Sequence, residues 1–171
     1  MKTIKLTREN LKEAVLDLNA GEVLEVPTDT VRGFICDYYN KSAEEEMFRI
    51  KKRPKEKILS IFVASIAEVK KIVPVSERQE RFLARVWPGK VTCVLKKDIG
   101  GFRIPDDKFI LKLLREFGGP LLQTSANISG DSPIGGGTPS TVVDLTGENQ
   151  KILREGAVRG AELQKIWEDS R

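Results

Sequence analysis

Apolar and polar positions along this chain switch repeatedly between a three- to four-residue period and short apolar runs, which predicts alternating helices and strands. Leu11, Ala14, Val15 and Leu18 recur at helical spacing after Thr7, a candidate cap, and Gly21 marks the stop. Glu22 to Val26 alternates loosely as a strand that Pro27 ends. A polar turn, Thr28-Asp29-Thr30-Val31-Arg32-Gly33, separates it from the apolar run Phe34-Ile35-Cys36. A second helix is expected from Ser42, with Glu44, Glu45 and Glu46 in its first turn and Lys51, Lys52 and Arg53 near its end, before Pro54. That charge order complements the helix dipole.

Ile58 to Ala67 reads as a buried strand running into a turn, and Ser65 can cap a short helix carrying Val69, Ile72 and Val73. A further helix from about Ser76 to Trp87 places Phe82, Leu83 and Val86 on one side. Trp87-Pro88-Gly89-Lys90 is a turn before the strand Val91–Leu95, and Gly100-Gly101 precedes a second strand edge, Phe102–Pro105. Asp106 or Asp107 caps a helix through Ile110, Leu111, Leu114 and Phe117 to Gly118-Gly119. The segment from Asp131 to Pro139 is rich in glycine and proline and is expected to be a mobile loop, in the position of a lid. Val142–Leu145 and Lys151–Arg154 read as a hairpin, and a last helix runs from about Ala161 to Trp167. Helix, glycine stop and strand alternate as in α/β folds. There is no internal repeat and no second-domain boundary, so residues 1–171 are expected to form a single domain.

Composition narrows the function. With 32% charged residues and no uncharged apolar run near the ~18 residues of a membrane span, the chain reads as soluble. Its start lacks the apolar core of a signal peptide, and Cys36 and Cys93 lie apart among apolar residues as reduced core thiols, so the location expected is cytoplasmic. The absence of histidine removes the commonest general base and every Ser-His or Cys-His nucleophile, so no covalent catalytic residue and no metal site are expected. A net charge of +4 and a pI near 9.1 fit an anionic partner such as a nucleotide or RNA.

Candidate chemistry collects at a few places. Leu121-Leu122-Gln123-Thr124-Ser125-Ala126-Asn127 is an apolar strand ending in small hydrogen-bonding side chains, as at the carboxyl edge of an open α/β sheet, where ligands bind. Ser and Asn also favour turns for local reasons. Lys51, Lys52, Arg53, Lys55 and Lys57 could grip phosphate groups, although a solvated basic helix end is the commoner cause of such a run. Arg103 stands between Phe102 and Ile104 and needs a partner if buried.

Pro27-Thr28-Asp29-Thr30-Val31 with Gly33, Lys51-x-Arg53, Trp87-Pro88-Gly89, Arg103-Ile104-Pro105, Ser125-Ala126-Asn127 and Ser140-Thr141-Val142-Val143-Asp144 occur in the order seen in the YrdC-like family. The resemblance runs from about residue 9 to 160. It implies an α/β fold in which helices flank a twisted mixed sheet, of the YrdC/RibB-like kind, with a basic concave surface. It implies a threonylcarbamoyl-AMP synthase, a nucleotidyltransferase that uses L-threonine, bicarbonate and ATP, with Mg²⁺ carried by the nucleotide. The product would feed threonylcarbamoyl modification of tRNA adenosine through downstream threonylcarbamoyl-transferase proteins. By resemblance, Thr28 and Arg103 contact threonine, while Lys51, Arg53, Ser125, Asn127, Ser140 and Arg154 hold ATP.

Departures from the family pattern bear on substrate fit: Arg32 replaces an aromatic residue, Ile58 a proline, and Phe62 a histidine found in some members. The connections Leu95 to Phe102 and Gly130 to Ser140 are shortened. Two other readings stay open, a non-catalytic module that binds tRNA or double-stranded RNA, and an enzyme that adenylates a different carbamate.

Overall fold

The computed structural model describes residues 2–3, 7, 9–52, 59–127, 132 and 136–171. Its elements run β1 (Lys2–Thr3), α1 (Leu11–Asn19), β2 (Leu24–Val26), β3 (Gly33–Asp37), α2 (Lys41–Lys51), β4 (Ser60–Phe62), α3 (Ile66–Ile72) and α4 (Glu77–Val86). They continue with β5 (Val91–Val94), β6 (Gly101–Arg103), α5 (Lys108–Phe117), β7 (Leu121–Ser125), β8 (Thr141–Asp144), β9 (Lys151–Arg154) and α6 (Gly160–Glu168).

Among the described residues the strands form one nine-stranded mixed sheet in the order β1-β2-β3-β7-β4-β6-β5-β8-β9. β1/β2, β4/β6 and β5/β8 pair parallel, and the remaining neighbours pair antiparallel. The expected α/β class with a mixed, helix-flanked sheet is what the chain adopts. β6 is not an edge as the sequence suggested, because β4 and β5 flank it on both sides.

Alternation along the central strands feeds two cores. Phe34, Cys36, Ile61, Val63 and Leu122 face a cluster with Met47 of α2, Val69 of α3, Phe82 and Leu83 of α4 and Trp167 of α6. Ile35, Phe62 and Leu121, one residue out of phase, face Leu11, Ala14 and Leu18 of α1 and Ile110, Leu113 and Leu114 of α5. Helices therefore cover both faces of the β3-β7-β4 centre, and each buried Leu or Phe there contributes about 1.5–3 kcal/mol of transfer free energy.

Local signals explain most boundaries. Ser76 and Gln79 close a capping box on α4, Ser65 accepts from Glu68 N on α3, and Asp107 accepts from Phe109 N and Ile110 N on α5. Gly118, at φ 81°, ends α5 in a left-handed conformation that glycine adopts without strain. Two expected starts are corrected. α1 begins after Asn10 rather than at Thr7, whose carbonyl instead accepts Asn10 N at 3.2 Å in the preceding turn. α2 begins after Asn40, whose side chain accepts from Ala43 N, a better-placed cap than Ser42.

Candidate active site

The sheet face that α1 and α5 cover does not end at their edge. Continuing two residues along each strand on that face, Phe62 gives way to Ser60, Leu121 to Gln123, and Arg103 to Gly101. These smaller or polar side chains, with Thr92, Val94 and Val142 from β5 and β8, floor a cleft of about 400 Å³. Glycine sets its depth at two points. A Cβ on Gly33 would meet Gln123 Nε2 at 2.7 Å, and one on Gly101 would meet Thr92 Cγ2 at 2.5 Å.

Of the residues expected at a site, Arg103, Ser125, Asn127, Ser140 and Arg154 all line this cleft. Lys51 stands behind one rim. Its ammonium donates to Ser125 O at 2.6 Å and to Asn127 O, with Ser125 Oγ at 3.4 Å and Asn127 Oδ1 at 3.3 Å. Lys51 and the Ser125–Asn127 turn, more than seventy positions apart in sequence, are thus one unit. A solvated helix end does not describe Lys51: it is 2% exposed, because the end of α2 packs beneath the turn that follows β7. Arg53, Lys55, Lys57 and Ile58 lie outside the described residues, as do Asp131 and residues 133–135 of the expected loop from Asp131 to Pro139.

On the opposite rim Arg154 projects from β9, and its guanidinium turns back to Ser140 O, with Nη2 at 2.8 Å and Nε at 3.2 Å. Ser140 Oγ lies 2.8 Å from Thr92 Oγ1, which ties the floor to this rim. Arg103 is buried beside the third wall. Its Nη1 donates to Asp29 Oδ1 at 2.8 Å and Oδ2 at 3.0 Å, and its guanidinium lies 4.8 Å from the Phe62 ring centre. Burial pulls the Arg103 guanidinium below its ordinary pKa, against the charge of Asp29, which pulls it back up.

Two departures from the family pattern have local explanations. Arg32 Nε forms a 2.9 Å ion pair with Glu25 across the β2–β3 turn, so its charge is engaged on the scaffold. Phe62 is fully buried beneath Arg103. Thr28 is absent from the described lining, whereas Thr30 is present. Thr92 escaped the sequence reading, while Thr30 and Gln123 lie within stretches it singled out but received no role of their own. A polar residue inside the apolar run Leu121-Leu122 was a usable signal for Gln123; Thr92 gave none, since threonine is an ordinary strand residue.

No carboxylate belongs to the described lining, while two arginines and several hydroxyls do. Such a cleft favours an anionic ligand with many acceptor oxygens. Among the described residues no group of three or more His, Cys, Asp or Glu could hold a metal ion.

The family model for Sua5/YciO/YrdC, described as telomere recombination, matches residues 17–135. A protein of Photobacterium profundum named threonylcarbamoyl-AMP synthase is 34% identical over 169 residues, covering 90% of this chain and 90% of its own length. One of the same name from Mus musculus is 39% identical over 133 residues, 71% of this chain and 47% of that protein. Among solved structures, P. abyssi Sua5 complexed with L-threonine superposes with a TM-score of 0.87 at 24% identity, over 97% of this chain and 61% of that one. The chain thus spans nearly all of the bacterial relative and about half to three-fifths of the mouse and archaeal proteins.

Proposed function

This chain belongs to the Sua5/YciO/YrdC family, and from that premise we propose that it is an L-threonylcarbamoyladenylate synthase acting as one YrdC-like domain. The observation that carries the reading is the assembly, in one cleft whose described lining holds no carboxylate, of two anchored arginines and the Ser125–Asn127 turn braced by Lys51.

In the proposed reaction the threonine amine attacks the carbon of bicarbonate, water leaves, and a carbamate forms. A carbamate oxygen then attacks the α-phosphorus of ATP, the bond from that phosphorus to the bridging oxygen breaks, and pyrophosphate departs with the electron pair. No enzyme nucleophile is needed, which suits a chain without histidine. Catalysis is alignment of the reactants and stabilisation of phosphate charge by fixed donors.

In this reading Ser125, Asn127, Ser140 and Arg154 hold ATP from the two rims, and Lys51 keeps the Ser125–Asn127 turn in place beside the phosphates. Arg53 joins them by resemblance. Arg103 addresses the threonine carboxylate, Thr28 contacts threonine by resemblance, and Mg²⁺ enters on the polyphosphate. A cytoplasmic location, tRNA and downstream transferases belong to the same proposal; among the described residues no helix is long and apolar enough to cross a membrane.

The test is pyrophosphate release by the pure protein with ATP, bicarbonate and a panel of amino acids. Threonine-dependent release is expected. If no amino acid raises release above background while RNA binds with a steep salt dependence, an RNA-binding module replaces this reading.

A further inference from the structure

Asp29 does not line the cleft and carries no role in the proposed reaction, although its side chain is 5% exposed and pairs with the most buried cation of the cleft, Arg103, at 2%. Both its oxygens face Arg103 Nη1, and Oδ2 also accepts the backbone N–H of Asp106 at 3.0 Å. Nη1 further reaches Gly89 O at 3.3 Å. Nη1 is therefore engaged on three acceptor atoms, the Phe62 ring lies against the guanidinium, and its orientation is set from outside the cleft.

The other side of that guanidinium fixes the direction of a hydroxyl chain. Nη2 donates to Thr30 Oγ1 at 3.2 Å. Thr28 Oγ1 donates to Val31 O at 2.7 Å and accepts Thr30 N at 3.1 Å. A hydroxyl has one proton, so in the 3.2 Å contact between the two threonines the donor is Thr30. Hydrogen bonds thus run from Arg103 to Thr30 to Thr28 to Val31 O, and Thr30 offers the cleft a lone pair rather than a proton.

We propose that Asp29 is a positioning residue: it fixes Arg103 and, through it, the polarity of the Thr30–Thr28 chain, so that the cleft presents guanidinium donors beside a hydroxyl acceptor. That pair is complementary to a carboxylate next to an amine, the backbone end of an amino acid. The assignment rests on the reading that this cleft takes threonine.

Charge and positioning give opposite signs, which makes the claim testable. Asp29→Asn adds one net positive charge beside the anion. If Asp29 acted only through charge, the KM for threonine would fall. Loss of the fixed guanidinium instead raises it, by about tenfold or more, since small misplacements of positioning groups carry such costs. The KM for ATP, bound at the rims, is expected to change little. An unchanged or lower KM for threonine, or an equal rise for both substrates, overturns the proposal. Should that variant not fold, Asp29→Glu keeps the charge and displaces the carboxylate, and the same selective rise is expected. A readout without turnover separates this claim from the enzyme reading: ¹⁵N NMR should show the hindered Arg103 Nη signals in the wild type and their loss in Asp29→Asn. If the wild type proves inactive with every amino acid, the enzyme reading fails, and persistence of those signals in Asp29→Asn still overturns the positioning role.

Discussion

Lys51 is the residue on which stability and function meet. Its ammonium is buried and holds two backbone carbonyls of the turn after β7, so Lys51→Ala removes both of those hydrogen bonds, leaving Ser125 O only Asn127 N as a donor among the described residues. A loss of about 2–4 kcal/mol is expected in urea denaturation, together with loss of ATP binding. Asn127→Ala, at a half-buried position, should weaken ATP binding with a change in stability below about 1 kcal/mol. Equal stability of Lys51→Ala and wild type would remove Lys51 from its bracing role. Cys36 sets a second residue-scale expectation. Burial, helped by Glu44 and Asp37, pushes its thiol up to about 12 from 9.0. The unfolded thiol ionises first, so the associated stability is complete below pH 9.0 and is lost as the pH climbs toward about 12. Wild type should therefore lose stability with rising pH more steeply than Cys36→Ala, by up to about 1.4 kcal/mol per pH unit. Parallel profiles for the two proteins would contradict this.

At the scale of elements, β6 shows how a strand can be both core and floor. Gly101 leaves room for the Thr92 methyl group, whose hydroxyl is 2.8 Å from Ser140. Gly101→Ala is expected to cost about 1–3 kcal/mol by overpacking, and Thr92→Ala, which removes the obstructing methyl, should recover part of it. Strictly additive effects in that double-mutant cycle would mean that the two residues do not press on one another. Helices with strong periodicity, such as α4 and α5, were legible from Phe82, Leu83, Ile110 and Leu114, and so was the cap Ser65; Asp107 was one of two candidates with Asp106, and Ser76 was read only as the approximate start of α4. The starts of α1 and α2 were not, because Thr7 and Ser42 compete with equally good turn and cap residues nearby, and only tertiary packing chooses between them. The position of β6 inside the sheet was hidden for a different reason: three residues with one arginine carry no periodic signal, and the neighbours of Gly101–Arg103 come from Ser60–Phe62 and Val91–Val94.

Across the whole molecule, the cleft exists because α1 and α5 cover only part of one sheet face and glycine, serine and glutamine follow the apolar residues along the same strands. Family motifs marked Ser125, Asn127, Ser140, Arg103 and Arg154 in the sequence, yet the burial of Lys51 and the link from Asp29 to Arg103 required the fold, since both join segments more than seventy residues apart. The proposed reaction holds threonine and nucleotide in one cleft and is catalysed by their alignment. It is tested most directly by mass spectrometry of the adenylate formed from ATP, L-threonine and ¹³C-bicarbonate by the pure chain. The account predicts threonylcarbamoyl-AMP carrying the ¹³C label, in amounts matching the pyrophosphate released. Pyrophosphate without a labelled adenylate, or no adenylate under any of these conditions, would contradict it.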